Sequence, residues 1–314
     1  MCGIGGVKLS EPGNIGERLV QMMSALRHRG TDSTGFALYG PWQEDRLIVR
    51  LRVADRERLA ETLNRIEAAL RQAGGELVSP PTWDKADRAR DAFVRLEVTP
   101  TVDVERATAA WIALGPSASL RVNSVEVHSF GHSLEIVKDV GDALAVAERH
   151  DIRGFTGSHG LGHCRLATES EVDVAHGHPF WARPFPDVSI VHNGQITNYF
   201  KSRRLLEQEG YQFSSDNDSE LISVLIADRM KHGQTFEEAL RYSVTALDGV
   251  FTYLLSIPEG IGLAKDRLAI KPMISAETGG VTVMATEEQA IRQVLRDEIT
   301  TKSYAQGEVV IWER

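Results

Sequence analysis

Strand-like apolar runs come in groups along this chain, and that grouping constrains its architecture most. Short runs divided by Gly, Pro, Asn and His fall at residues 3–9, 36–38, 46–53, 92–98, 120–127, 134–137, 160–166 and 188–192, then at 250–257, 262–265, 273–275 and 281–285. Helical spacing of apolar residues is confined to 19–26, 55–73, 142–150, 199–209, 219–232 and 287–295. Strands and helices therefore do not alternate as βαβ units, and the pattern predicts an α+β layered fold rather than a doubly wound parallel sheet.

The texture changes near residue 41. Residues 46–53 alternate charged and apolar side chains, and 55–73 are rich in Arg, Glu, Ala and Leu. Residues 41–154 read as an inserted α+β subdomain without a catalytic constellation, within a domain of residues 2–314. The 35 Lys and Arg against 44 Asp and Glu give a net charge of −9, so the chain lacks the basic field that nucleic acid or an anionic membrane requires. No run approaches the roughly 20 apolar residues of a membrane span, and the N-terminus carries no secretory signal, which predicts a cytoplasmic protein. Two cysteines, Cys2 and Cys164, are too few for a disulfide framework.

Cys2 becomes chemically distinctive once Met1 is removed, because thiol and free α-amino group then share one residue. The amine, with a pKa of about 7.7–8.0, is partly neutral near pH 7 and can take the proton of a thiol whose pKa is about 8.5. A cysteine at position 2, taken alone, is more often incidental. Asn193 and Gly194 end an apolar run and offer a carboxamide NH₂ and an unshielded backbone N–H, suited to an oxyanion hole or to a tight turn. Arg165, in an apolar run, needs a carboxylate, either from a substrate or from an internal ion pair. Asp218 opens a helix, as a cap or as the receptor for a substrate ammonium. His159, His163, His176, His178 and His192 crowd one stretch, but neither paired cysteines nor His-Glu-x-x-His spacing accompanies them, so no metal site is expected. Gly3-Ile4-Gly5-Gly6 is not a dinucleotide loop, since Lys8 takes the place of the third glycine.

Taken together, these segments resemble the glutaminase domain of class II glutamine amidotransferases, members of the N-terminal nucleophile hydrolases. Cys2-Gly3-Ile4-Gly5-Gly6 is similar to that family's start, and Arg27-His28-Arg29-Gly30-Thr31-Asp32 to its His-Arg-Gly-x-Asp loop. Gly162 to Thr168, Gly177-His178-Pro179-Phe180, His192-Asn193-Gly194, Asp218-Ser219-Glu220, Lys265 to Pro272 and Ala285-Thr286-Glu287 follow in family order. The resemblance implies a four-layer αββα sandwich of two mainly antiparallel sheets. It makes Cys2 the nucleophile, Asn193 and Gly194 the oxyanion hole, Arg165 and Asp218 the clamps on the α-carboxylate and α-ammonium of L-glutamine, Thr168 a pocket wall and Arg29 a brace for the N-terminal loop. Leu166 and Glu169 depart from the family's usual residues at that wall.

The inserted stretch, chiefly Val127 to Gly131 and Leu134 to Gly141, resembles the stand-alone amidotransferase part of archaeal-type glutamate synthase and N-methylglutamate synthase. That likeness implies a hetero-oligomer whose synthase subunits receive the ammonia and carry the flavin (FMN) and an iron–sulfur cluster, with no cofactor in this chain. Two other readings remain: an N-terminal nucleophile hydrolase of another amide, and a regulatory subunit that keeps a catalytically dead fold.

Overall fold

The computed structural model describes residues 2–84, 90–114, 125–166, 173–296 and 298–313. β1 (Gly3–Asn14) runs into α1 (Ile15–Ala25), whose first turn is capped by the Asn14 side chain accepting the Glu17 N–H at 2.9 Å. β2 (Ser33–Tyr39) is followed by β3 (Leu47–Ala54), α2 (Leu59–Gln72), β4 (Thr82–Trp83), β5 (Asp91–Val98), α3 (Val104–Ile112), β6 (Val125–Gly131), β7 (Leu134–Val140) and α4 (Ala143–Arg149). The second half runs through β8 (Thr156–Arg165), β9 (Phe180–Trp181), β10 (Ser189–Ile196), α5 (Tyr199–Gln208), α6 (Asp218–Lys231) and α7 (Phe236–Ala246). It ends with β11 (Gly249–Ile257), β12 (Gly260–Lys265), β13 (Ile274–Thr278), β14 (Val281–Ala285), α8 (Glu288–Val294), β15 (Lys302–Ser303) and β16 (Val309–Glu313). Among the described residues no helix is long and apolar enough to cross a membrane.

Three sheets result, and every ladder among the described residues is antiparallel. The first has the order β15-β13-β14-β1-β8-β2-β7 and the second β16-β12-β11-β10-β9. Period-two alternation splits each strand between two cores. On β1, Ile4 faces the second sheet with Leu161, Val191 and Leu254, while Val7 and Leu9 pack beneath Leu19 and Met23 of α1. Apolar residues of α1, α4 and α8 cover the outer face of the first sheet, and those of α5, α6 and α7 cover the second. The layering is αββα, as the resemblance implies.

The third sheet, β4-β5-β3-β6, lies within the 41–154 stretch. Its buried face, Leu51, Val53, Val94 and Leu96, packs on Ile66, Leu70 and Trp111 of α2 and α3. β7 and α4 belong to the same stretch but join the main sandwich, where β7 pairs with β2 and α4 supplies Val146 to the core under α1. Residues 120–124 of the expected 120–127 strand lie outside the described residues, and β6 begins at Val125. α3 and α7 occupy regions where the apolar spacing predicts no helix.

Candidate active site

Cys2 stands just before β1 and is partly exposed. Its carbonyl is held from two sides. Arg29 Nε donates to it at 3.0 Å and Asn193 Nδ2 at 3.3 Å. Arg29 also forms an ion pair with Glu287 at the start of α8. Burial alone would raise the Glu287 carboxyl pKa, but Arg29 and His28 hold it below its usual value. The residue expected to brace the N-terminal loop thus ties it to α8.

The β1–β8 register pairs Gly3, the residue after Cys2, with Cys164. A Cβ on Gly3 would lie 2.5 Å from Cys164 Sγ, so only glycine allows this approach. The two cysteines therefore meet different surroundings. The Cys164 thiol is buried, donates to the Leu26 carbonyl at 3.3 Å, and has its pKa pushed up to about 12 by burial. Cys2 instead lines a cavity of about 360 Å³ with Leu166, Asn193, Gly194, Asp218 and Lys271.

Gly194 is fixed by its backbone. Its φ is +144°, and an added Cβ would sit 2.0 Å from the Val250 carbonyl oxygen. Phe251, opposite Gly194 on β11, donates its N–H to the Asp266 carboxylate at 2.9 Å and accepts the Asp266 N–H at 3.0 Å. Gly194 and Phe251 are accordingly a non-hydrogen-bonded pair, and the Gly194 N–H points away from β11. Two residues on, the Ile196 N–H leaves the same edge and donates to Asp218 Oδ2 at 2.9 Å.

Asp218 is the first residue of α6, but it is not the cap. Asn217 caps the helix by accepting the Ser219 N–H at 2.9 Å, which leaves the Asp218 carboxylate for Ile196 and the cavity. Burial would raise its pKa. His192 Nδ1 at 3.4 Å, with the Ile196 N–H, outweighs burial and keeps it below the usual carboxylate range.

Three of the five crowded histidines, His163, His178 and His192, form a hydrogen-bonded wall. The Ser219 hydroxyl bridges His178 Nε2 at 2.7 Å and His192 Nδ1 at 3.0 Å. His163 donates Nε2–H to the His192 carbonyl at 3.3 Å and stacks on His178 with ring centroids 4.1 Å apart. Burial lowers the His163 pKa to about 3 and takes that of His178 well below its usual value, so both rings are neutral at pH 7. Among the described residues no group of three or more His, Cys, Asp or Glu side chains is disposed to hold a metal ion.

Of the residues expected to act together, Cys2, Asn193, Gly194 and Asp218 share this cavity, and Arg29 touches Cys2. Arg165 is buried and is not among the residues that line it, but lies near enough for its charge to disfavour protonation of His163 and His178. Thr168 and Glu169 lie outside the described residues; Leu166, the other departure from the family, lines the cavity. Sequence reasoning gave no role to Lys271, Gln195 and Ser219, which also line it.

A family model described as a glutamine amidotransferase domain matches residues 163–293. A "putative glutamine amidotransferase" from Methanothermobacter thermautotrophicus is 37% identical over 325 residues and is covered, like this chain, to 100%. A "glutamine amidotransferase-like protein GlxB" from Rhizobium meliloti is 33% identical over 302 residues, covering 93% of this chain and 91% of that protein. Among solved structures, glutamine phosphoribosylpyrophosphate amidotransferase from B. subtilis superimposes with a TM-score of 0.62 at 16% identity, over 99% of this chain and 47% of that one. This chain therefore spans about half the length of that solved relative and shares its fold.

Proposed function

This chain belongs to the glutamine amidotransferase family, with the class II, N-terminal-nucleophile fold, and on that premise we propose that it is a glutaminase subunit, hydrolysing L-glutamine to L-glutamate and ammonia at Cys2. The observation that carries the reading is the single cavity in which a thiol meets a carboxamide NH₂, a backbone N–H turned away from its ladder, and a carboxylate held ionised.

With Met1 removed, the Cys2 α-amino group takes the thiol proton and Sγ adds to the side-chain carboxamide carbon of glutamine. Asn193 Nδ2 carries two hydrogens; one serves the Cys2 carbonyl and the other meets the oxyanion, together with the Gly194 N–H. Each such donor contributes about 3 to 4 kcal/mol to the transition state. The adduct collapses when the α-ammonium returns its proton to the leaving nitrogen, which departs as ammonia. The resulting γ-glutamyl thioester is cleaved by water, the amine again taking the proton, and glutamate leaves with the thiol restored. Asp218 receives the substrate ammonium, Arg165 its α-carboxylate, and Thr168 completes the pocket wall.

The reading extends to partners. The ammonia passes to synthase subunits of the N-methylglutamate or glutamate synthase type, which carry the flavin and the iron–sulfur cluster. The likeness of the β6–β7 region to those systems supports this.

The test is direct. Intact mass shows loss of Met1, and incubation with glutamine releases equimolar glutamate and ammonia. Cys2→Ala abolishes release without unfolding the chain, whereas Cys164→Ala, whose thiol is buried, keeps most of it. Sizeable turnover in Cys2→Ala, or full turnover with Met1 retained, overturns the assignment. Turnover of another amide with glutamine inert moves the same chemistry to a different amidohydrolase.

A further inference from the structure

We propose that a second cavity, where the third sheet meets the αββα body, binds a free α-amino acid with an apolar side chain. It measures about 320 Å³ and shares no lining residue with the Cys2 cavity, so the proposal does not depend on the glutaminase reading. Small-molecule sites favour junctions of this kind, and the volume lies at the small end of their range. The 41–154 stretch supplies nothing to the lining of the Cys2 cavity, whereas here it provides Arg52, Ile112, Glu126, His128 and Lys138.

Four charged side chains come to the cavity from separate elements: Arg52 of β3, Glu126 of β6, Lys138 of β7 and Asp173 ahead of β9. Two cations thus meet two anions, and the His128 ring beside them is neutral at pH 7 because burial lowers its pKa. A ligand with a single net charge upsets that balance, and an apolar one leaves buried polar groups without partners. A zwitterion answers both signs.

Spacing then selects among zwitterions. Glu126 Oε2 accepts from Arg52 Nη1 at 3.1 Å, which closes the ion pair within the sheet. Glu126 Oε1 is held only loosely, 3.4 Å from His128 Nε2 and 3.7 Å from Lys138 Nζ, beyond ordinary hydrogen-bond length. His128 Nε2 is buried and has no hydrogen-bond partner among the described residues. Lys138, also buried, donates to the Gly177 carbonyl at 3.0 Å, and its ammonium carries three hydrogens. Two donors with bonding capacity left therefore stand beside one ionised acceptor oxygen. An ammonium and a carboxylate on the same carbon meet all three, the ammonium at Glu126 Oε1 and the carboxylate at Lys138 and His128. An ω-amino acid, its charges several bonds apart, cannot serve both.

The remaining lining sets the side-chain class. Val125, Val127, Ile112, Phe180 and Trp181 are apolar, so an aliphatic or aromatic side chain leaves water when it lies against them. Ser214 and Ser215 give their hydroxyl hydrogens to Glu220, at 2.7 Å each, and keep oxygen lone pairs for a donor in the cavity. Among the described residues no group of three or more His, Cys, Asp or Glu side chains could hold a metal ion, so the Glu126–His128 pair is not the start of a metal site.

Isothermal titration calorimetry of the full chain, with L-leucine, L-methionine and L-phenylalanine as probes, tests this. At least one is expected to bind saturably, one molecule per chain, with a Kd of about 0.1 mM or below. The amine and the carboxylic acid that each lack one charged group of the tightest probe bind about 10- to 100-fold more weakly. Glu126→Gln weakens the amino acid by a similar factor and leaves the deaminated acid, which has no ammonium, no weaker. Ile112→Trp, at the partly exposed end of α3, fills the cavity and abolishes binding while glutamine hydrolysis is unchanged. Asp218→Asn, in the other cavity, leaves the affinity as it was. Three results overturn the proposal: none of the probes binds, an analogue with one charge binds as tightly as its amino acid, or binding survives Ile112→Trp and is lost in Asp218→Asn. Binding as expected in a chain that does not hydrolyse glutamine supports this site and overturns the glutaminase reading alone.

Discussion

The inserted sheet and the Cys2 cleft draw on the same charged residue types and leave them in different states. In the sheet, Arg52 binds Asp91 and Glu126, Arg46 binds Glu97, and Arg50 and Arg95 converge on Glu135. Acid and guanidinium there neutralise each other across neighbouring strands. The cleft keeps its polar groups committed on one side only. Two acids on α6 show the contrast within a single turn. Glu220 accepts the N–H and hydroxyl of both Ser214 and Ser215, four bonds of 2.7 to 2.8 Å, and is saturated. Asp218, two residues earlier, accepts the Ile196 N–H at 2.9 Å through Oδ2, has only the longer contacts of His192 Nδ1 at 3.4 Å and Ser219 Oγ at 3.5 Å at Oδ1, and lines the cavity. Matched charges make architecture, whereas a carboxylate beside a cavity with acceptor capacity left is what the receptor role proposed for Asp218 requires.

That contrast breaks if the cleft's polar groups prove as structural as those of the sheet. If Asn193 serves as the oxyanion donor proposed for it, Asn193→Ala lowers kcat about 10²- to 10³-fold with KM nearly unchanged. A rise in KM alone would make Asn193 a binding group and refute its placement in the oxyanion hole. Asp218→Asn keeps the shape and removes the charge. A lost charge-assisted contact costs about 1.5 to 3 kcal/mol, so KM for glutamine should rise roughly 10- to 100-fold with a smaller change in kcat.

The pH dependence follows from the sign of the Asp218 shift. Its folded pKa lies below the unfolded value of about 3.9, so its contribution to stability is complete above that value and is lost as pH falls through the lower, folded one. Across pH 5 to 8 the carboxylate stays ionised. Initial-rate measurements should therefore show a KM for glutamine free of any Asp218 titration in that window, and a carboxylate-type inflection near pH 5 to 6 would contradict the receptor role.

That Cys2, Asn193, Gly194 and Asp218 share one cavity was legible in local strings: Cys2 before a glycine run, Asn193-Gly194 in a strand, and Asp218 at a helix start. What sequence could not supply was company. Ser219 sits in a helical pattern that says nothing of the two imidazoles it bridges, and Lys271 reaches the cavity only because β12 ends at the same edge as β10. The fold class followed from grouped strands, yet α7 escaped the apolar count. Its signature was chemical instead: Thr235 and Glu238 form a capping box ahead of Phe236, Ala239, Leu240 and Val244, which are buried at helical spacing. α3 had a comparable sign in the Asp103 cap. An apolar run such as 134–137 does not name its neighbour, and only the structure pairs β7 with β2.

The smallest expected effect lies in the sheet. Glu135, on β7, accepts from Arg50 of β3 and Arg95 of β5 through Oε2 at 2.7 and 3.0 Å, so one carboxylate fastens the third sheet to the edge of the first. Glu135→Gln keeps the volume and leaves two guanidiniums facing a neutral amide. Both arginines are about a quarter exposed, so water answers part of the lost charge and the cost should be about 1 to 2 kcal/mol rather than the 3 to 5 of a fully buried pair. Arg95 also keeps Glu97 at 2.7 Å, which limits the loss further. Chemical denaturation should show the midpoint falling at constant m, with kcat and KM for glutamine unchanged. If turnover falls along with stability, the third sheet is coupled to the Cys2 cleft through β7, and the separation between architecture and receptor no longer holds.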